Sequence, residues 1–278
     1  MVKSADWSES MKKIGFLGCG NMGGALAKAA IKSVGGENVY VYDVDFLKAD
    51  AFAKETDVNV EDTEYIVLNC DYIFLGVKPQ MLKSLFETVA PIIEDRTTDF
   101  TLVSMAAGVS LHSIEAMAQV DCPVIRIMPN MPVSVGEGMI LYTANEFTSE
   151  DVVEEFLDVM KYAGTLDEIS EDKIDAASCV SGCGPAFVFM FCEALADGAV
   201  ECGLPRDKAM LYAAETLKGA AKMLIETGEH PGKLKDAVCS PAGSTIEGVK
   251  ALEEGAFRAS AMNAVKKAYK RTLELGKK

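Results

Sequence analysis

Two short segments carry residue types whose spacing can do chemistry. The first is Gly18-Cys19-Gly20-Asn21-Met22-Gly23, which follows the apolar run Ile14-Gly15-Phe16-Leu17. A G-x-G-x-x-G placed between a strand and a helix is a phosphate cradle. Gly18 permits the tight turn, Gly20 lets the backbone approach a pyrophosphate, and Gly23 lets the helix pack closely on the strand. The helix start then offers unpaired N–H groups and the positive end of its dipole. A second strand-like run, Val39–Tyr42, ends at Asp43, 20 residues past Gly23. A carboxylate there can bind a ribose hydroxyl, which favours NADH over a nucleotide bearing a 2′-phosphate. No Arg stands within several residues of Asp43, although Lys48 could accommodate that phosphate. The expected cofactor is NADPH or NADH.

The second segment is Ser240-Pro241-Ala242-Gly243-Ser244-Thr245. It reads as a turn that opens a helix at about Ser244 or Thr245. Ser244 and Glu247 stand in the S-x-x-E spacing of a capping box, which suffices to explain the pattern structurally. The same helix start, with hydroxyls from Ser240, Ser244 and Thr245 around it, is also a place for a small anion such as a carboxylate.

The elements that must position these segments follow from periodicity. Apolar runs of strand length recur at Lys13–Leu17, Val39–Tyr42, Tyr72–Val77, Thr101–Met105, Pro123–Met128 and Met139–Thr143, with helical periods between several of them, such as Gly24–Ser33 and Gln80–Ile93. Strand, helix and strand at this spacing predict a parallel-rich sheet with crossover helices. An amphipathic helix, Asp151–Tyr162, and a short strand, Thr165–Ile169, follow. From Glu171 onward only helices are expected, with Pro185, Pro205 and Pro231 near their starts and Gly203, Gly228 and Gly255 near their ends. The fold class is therefore α/β, a Rossmann-type N-terminal domain over 11–170 and an all-α C-terminal domain over 171–278. Residues 1–10 are polar, lack an apolar signal core and read as an N-terminal extension.

Composition narrows the function. The chain has 278 residues, 49% of them hydrophobic, and a net charge of −15. Disorder is excluded by the apolar fraction, and nucleic-acid binding is disfavoured because an acidic surface repels phosphate backbones. Two histidines and eight cysteines without a C-x-x-C pair give no metal-ligand spacing, so no metal site is expected and the cysteines read as reduced core residues of a cytoplasmic protein. Cys179–Ala196 is the most apolar stretch, but Ser181, Gly182, Gly184, Pro185 and Glu193 interrupt it, so a buried helix is expected rather than a membrane span. The helix Pro185–Cys202 carries Phe187-Val188-Phe189-Met190-Phe191 in succession and needs cover on every side. A dimer in which two helical domains wrap each other supplies that cover; full burial within one chain is the other arrangement.

Taken in order, several motifs resemble the pyrroline-5-carboxylate reductase family over nearly the whole chain from Met11. They are the Gly18–Gly23 turn, Gly76-Val77-Lys78-Pro79-Gln80, Ser104-Met105-Ala106-Ala107-Gly108-Val109, Arg126-Ile127-Met128-Pro129-Asn130, Ser181-Gly182-Cys183-Gly184-Pro185-Ala186-Phe187, Glu193-Ala194-Leu195-Ala196-Asp197-Gly198, and the run from Leu234 to Thr245. The resemblance implies reduction of a cyclic imino acid, 1-pyrroline-5-carboxylate, to L-proline. It implies that Ser240, Gly243 and Ser244 hold the substrate carboxylate and that Thr245 meets the ring nitrogen as the catalytic group. Glu171 matches a substrate-site position, although a carboxylate at a helix start is also favoured by the dipole. Gly76, Val77, Lys78 and Pro79, with Met105, Ala106 and Ala107, match loops bordering the nicotinamide and its ribose. Homodimers, and a ring built from them, are implied as well.

Four positions depart from the family pattern. Ala242 stands where a second Gly is frequent, which asks that its φ be negative; Cys183 replaces a Ser; Met131 replaces a Thr; and Thr63 replaces an Asn on the adenosine side of the cofactor. The β-hydroxyacid dehydrogenases share the opening motif, but their catalytic lysine would fall at Val188, where no base is present. A broader imine reductase and a nucleotide-sensing scaffold without turnover are the other readings.

Overall fold

The computed structural model describes residues 11–275. The expected extension over residues 1–10 lies outside them. Eight strands form one sheet: β1 (Ile14–Leu17), β2 (Val39–Tyr42), β3 (Asn59–Val60), β4 (Tyr72–Leu75), β5 (Thr101–Ser104), β6 (Val124–Met128), β7 (Gly138–Ala144) and β8 (Gly164–Glu168). Their order is β3-β2-β1-β4-β5-β6-β7-β8. The first six run parallel, β7 pairs antiparallel to β6, and β8 runs parallel to β7. The order reverses between β1 and β4, and open α/β sheets place their ligand crevice at such a switch point.

Alternation along the central strands builds two cores. Ile14, Phe16, Tyr72 and Phe74 enter one face, and Leu17, Ile73 and Leu75 enter the other. On the first face, Phe16 and Phe74 stack with ring centroids 4.5 Å apart. That face is covered by α1 (Asn21–Val34), α2 (Phe46–Thr56) and α6 (Glu150–Met160). The other is covered by α3 (Thr63–Asn69), α4 (Leu82–Glu94) and α5 (Leu111–Ala118). Every strand expected from periodicity is present to within two residues. β3, two residues long, is too short to give an alternation signal.

The rest is helical: α7 (Glu171–Ser181), α8 (Gly184–Glu201), α9 (Arg206–Thr227), α10 (Pro231–Val238), α11 (Ser244–Glu254) and α12 (Phe257–Leu275). The chain divides into two compact units, one running to Gly182 and resuming at Tyr269, the other Cys183–Ala268. The change of pattern at residue 171 therefore falls one helix before the change of packing. α7 stays with the sheet because Arg126 of β6 holds Glu171 at 3.2 Å and Asp175 at 2.6 Å.

Within the second unit the buried apolar residues, among those described, are Cys192, Ala196, Ala209 and Ala213, where α8 meets α9. Four small side chains are a meagre core for 86 residues. Full burial of the apolar stretch within one chain, the second of the two arrangements expected for it, does not hold. Of the most apolar window in the Glu171–Glu201 segment, 11% is buried, and Met190 is 70% exposed. Val188, Phe189, Leu211, Tyr212 and Ile225 are exposed too. This helical unit has apolar faces that a second copy must cover. Met190→Glu, which puts a charge on the exposed face of α8, is expected to shift light-scattering mass from oligomer to monomer and to lower the thermal midpoint; an unchanged mass would place the interface elsewhere.

Candidate active site

The Gly18–Gly23 turn leaves β1 and enters α1. Gly18 has φ +111°, a conformation open to glycine, and a Cβ on it would stand 2.8 Å from the carbonyl of Gly76. A Cβ on Gly23 would stand 2.2 Å from the Gly18 oxygen, so α1 can sit on the turn only with glycine there. Gly20 is the N-cap of α1, and the nearest group a Cβ there would meet is Lys48 Nζ at 3.5 Å. That open space, beside a helix start with no side-chain cap, fits a pyrophosphate.

Asp43 hooks this turn to the end of β2. Its Oδ2 accepts from the Cys19 N–H at 3.1 Å and from Lys48 Nζ at 3.3 Å, and its Oδ1 accepts from the Asp45 N–H at 3.1 Å. Burial favours the protonated carboxyl, yet these donors and the Lys48 charge outweigh it and hold Asp43 below its ordinary value. Burial and the Asp43 charge push the Cys19 thiol up to about 11, so it adds no negative charge beside the phosphates at neutral pH.

Around the turn lies a cleft of about 850 Å³. Of the residues assigned to the cofactor, Gly18, Gly20, Asn21, Met22, Gly23, Asp43, Thr63, Gly76, Val77 and Lys78 line it. Cys19 turns its N–H to Asp43, and Pro79 begins the short 3-10 turn that follows Lys78. Met105, Ala106 and Ala107 do not line this cleft; they follow β5, next to β4 at the same carboxyl edge of the sheet. Gln80, Met81, Ser84, Leu85 and Thr88 also line it. The last four have the i, i+3, i+4, i+7 spacing of one helical face, a signal the sequence held but that was not assigned to the site.

Sequence reasoning gave Arg126 no role. It is 3% exposed in the middle of β6, in register with Ser104 of β5, and its Nε is buried without a partner among the described residues. The Oε1 of Glu171 accepts both from Arg126 and, at 2.7 Å, from the N–H of Leu111 that starts α5. Glu171 thus ties the Leu111 end of the segment that carries Met105–Ala107 to Arg126 of β6. The available signals were a lone Arg inside an apolar strand and two acids four residues apart on α7.

The second segment lies in the helical unit. Gly243 N–H donates to the Ser240 carbonyl at 3.1 Å and closes a turn over Pro241 and Ala242. Gly243, not Ser244, is the N-cap of α11, and no side chain caps this helix. The capping box expected between Ser244 and Glu247 therefore does not form, because Ser244 is already the first helical residue. The N–H groups of the first turn keep their capacity for an anion. Ser240, Ser244 and Thr245 are exposed beside them.

Ala242 corrects a second expectation. Its φ is +54°, not negative. Pro241 fixes the preceding φ, and closure of Gly243 onto Ser240 then sends Ala242 left-handed, as a turn of this kind demands of its third residue. An L residue there carries about 1–2 kcal/mol of strain. Ala242→Gly is expected to raise the denaturation midpoint by relieving strain of that order, less the entropy glycine gains in the unfolded chain. A lowered midpoint would contradict the left-handed assignment.

A phosphate-binding turn at a sheet's switch point, on a chain whose helical half exposes its apolar faces, defines a dinucleotide-binding α/β protein that assembles from more than one chain. Comparison with known proteins gives the particular family. The description "Pyrroline-5-carboxylate reductase dimerisation" fits residues 171–275, and "NADP oxidoreductase coenzyme F420-dependent" fits residues 13–108. The chain is 42% identical over 271 residues to pyrroline-5-carboxylate reductase of Methanosarcina acetivorans and 40% identical over 269 residues to that of Escherichia coli, in each case covering 96% of this chain and 99% of the relative. The crystal structure of Plasmodium falciparum pyrroline carboxylate reductase with NADP bound superposes with a TM-score of 0.85 at 31% identity, covering 95% of this chain and 98% of that one. The chain belongs to the pyrroline-5-carboxylate reductase family.

Proposed function

We propose that this chain reduces 1-pyrroline-5-carboxylate to L-proline at the expense of NADPH or NADH. The observation that carries the reading is the uncapped start of α11, opened by the Ser240–Gly243 turn, on a chain that also holds a dinucleotide cleft. When bound, the reduced nicotinamide supplies a hydride to the C=N carbon. The chain's own residues do the rest. Backbone N–H groups at Ser244 and Thr245, with the Ser240 hydroxyl, grip the carboxylate and so fix which ring carbon faces the cofactor; Gly243, whose own N–H closes the turn onto Ser240, shapes the site rather than donating to it. The Thr245 hydroxyl meets the ring nitrogen, which ends the reaction as the amine of proline. A cyclic imine that enters protonated is electrophilic already, so the task is positioning and polarisation rather than strong acid catalysis. Two histidines suffice for a chain with this task. The Glu171 Oε1 is committed to Leu111 and Arg126; a substrate contact by Glu171 falls to Oε2.

On the cofactor side, Gly18, Gly20, Asn21, Met22 and Gly23 take the pyrophosphate, and Asp43 and Thr63 take the adenosine half. Gly76–Pro79 and Met105–Ala107 take the nicotinamide half. The helical domain makes the dimer, and dimers join in a ring. A cytoplasmic location belongs to the same reading.

Thr245→Ala should lower kcat about a hundredfold, as expected for losing one positioned hydroxyl at the reacting atom, and leave NADPH affinity within twofold. Unchanged kcat at saturating imine would overturn the role of Thr245. Loss of cofactor affinity in step with kcat would assign Thr245 to the fold instead.

A further inference from the structure

We infer that Lys48 sets which nicotinamide dinucleotide this chain takes, by holding the 2′-phosphate of NADPH against the opposition of Asp43. The inference rests on dinucleotide binding in the cleft as proposed above. Asp43 by itself points to NADH, because a carboxylate at the end of β2 repels a ribose phosphate. The structure shows that this carboxylate cannot swing away. It accepts from two backbone N–H groups, those of Cys19 and Asp45, and keeps 11% of its side-chain surface exposed. Those two backbone donors keep it in place whatever Lys48 does.

The third partner is free to move. Lys48 reaches Asp43 from the first turn of α2 and keeps 46% of its side-chain surface exposed. Its Nζ also stands 3.5 Å from where a Cβ on Gly20 would be, so it hangs over the phosphate turn as well as over the end of β2. Among the described residues two cations line the cleft, Lys48 and Lys78. Lys78 follows β4, on the far side of β1 from β2. A phosphate on the adenosine ribose at the β2 end therefore meets Lys48. That phosphate carries more negative charge than a carboxylate and competes well for the ammonium. Asp43 Oδ2 takes the Cys19 N–H, the Cys19 thiol at 3.7 Å and Lys48, whereas Oδ1 takes the Asp45 N–H and, with two acceptor positions, keeps one for a ribose hydroxyl. The pair thus accepts NADH through Asp43 and NADPH through Lys48.

Fluorescence titration of NADPH and NADH tests this without turnover. The wild type is compared with Lys48→Met and Lys48→Arg at low and high salt. Lys48→Met is expected to lower the preference for NADPH over NADH, measured as the ratio of their Kd values, at least fivefold. Lys48→Arg is expected to retain it. In the wild type the ratio should fall as salt rises, and in Lys48→Met it should be insensitive to salt. A change below fivefold in Lys48→Met, or an equal loss in Lys48→Arg, overturns the inference. If the wild type binds neither nucleotide, the dinucleotide reading itself fails. If it binds both and reduces the imine while the ratio stays put in Lys48→Met, only the role of Lys48 fails.

Discussion

The structure depends on a backbone crossing between the ends of β1 and β4. The Gly18 oxygen lies 2.5 Å from where a Cβ on Gly76 would be, and the Gly76 oxygen lies 2.8 Å from where one on Gly18 would be. Neither position tolerates a side chain without parting the two central strands. Because they meet, β2 and β3 fan out to one side and β4 to β8 to the other, and a crevice opens at the junction. Gly23 then lets α1 settle onto the turn with its N–H groups facing that crevice, and Asp43 ties the turn to β2 through the Cys19 N–H. A small set of backbone contacts thus fixes where a pyrophosphate can lie.

Much of this was legible in the sequence because it is written in local rules. The glycine spacing, the alternation of Ile14, Phe16 and Leu17, and the Pro and Gly residues flanking the helices each reflect a local backbone requirement, and each is met. What was not legible depends on partners distant in the chain. The antiparallel direction of β7 is a matter of sheet assembly. The role of Arg126 needs Glu171 and Asp175, 45 and 49 residues away. The left-handed Ala242 and the failed Ser244–Glu247 cap arise from one turn closing through Gly243, where composition allowed two helix starts one residue apart. Lys48 was visible as a cation near Asp43; its reach over Gly20 was not.

The two units contrast in how they are stabilised. The sheet buries large side chains on both faces, Phe16, Phe74, Phe156 and Leu102 among them, and is complete within one chain. The helical unit buries four small residues and exposes its large apolar ones, so its stability is tied to a second copy. That arrangement reconciles an acidic chain with an anionic substrate. The net charge of −15 is spread over the surface and screened, while the substrate carboxylate, at the helix start proposed for it, would meet N–H donors at contact distance.

Hydride transfer and carboxylate recognition meet in one assay, which follows oxidation of NADPH and of NADH with 1-pyrroline-5-carboxylate while quantifying proline. Imine-dependent oxidation is expected with one proline formed per nucleotide consumed, and a weaker response to a cyclic imine lacking the carboxylate. Binding of the nucleotide without imine-dependent oxidation, or equal rates with and without the carboxylate, would contradict that expectation.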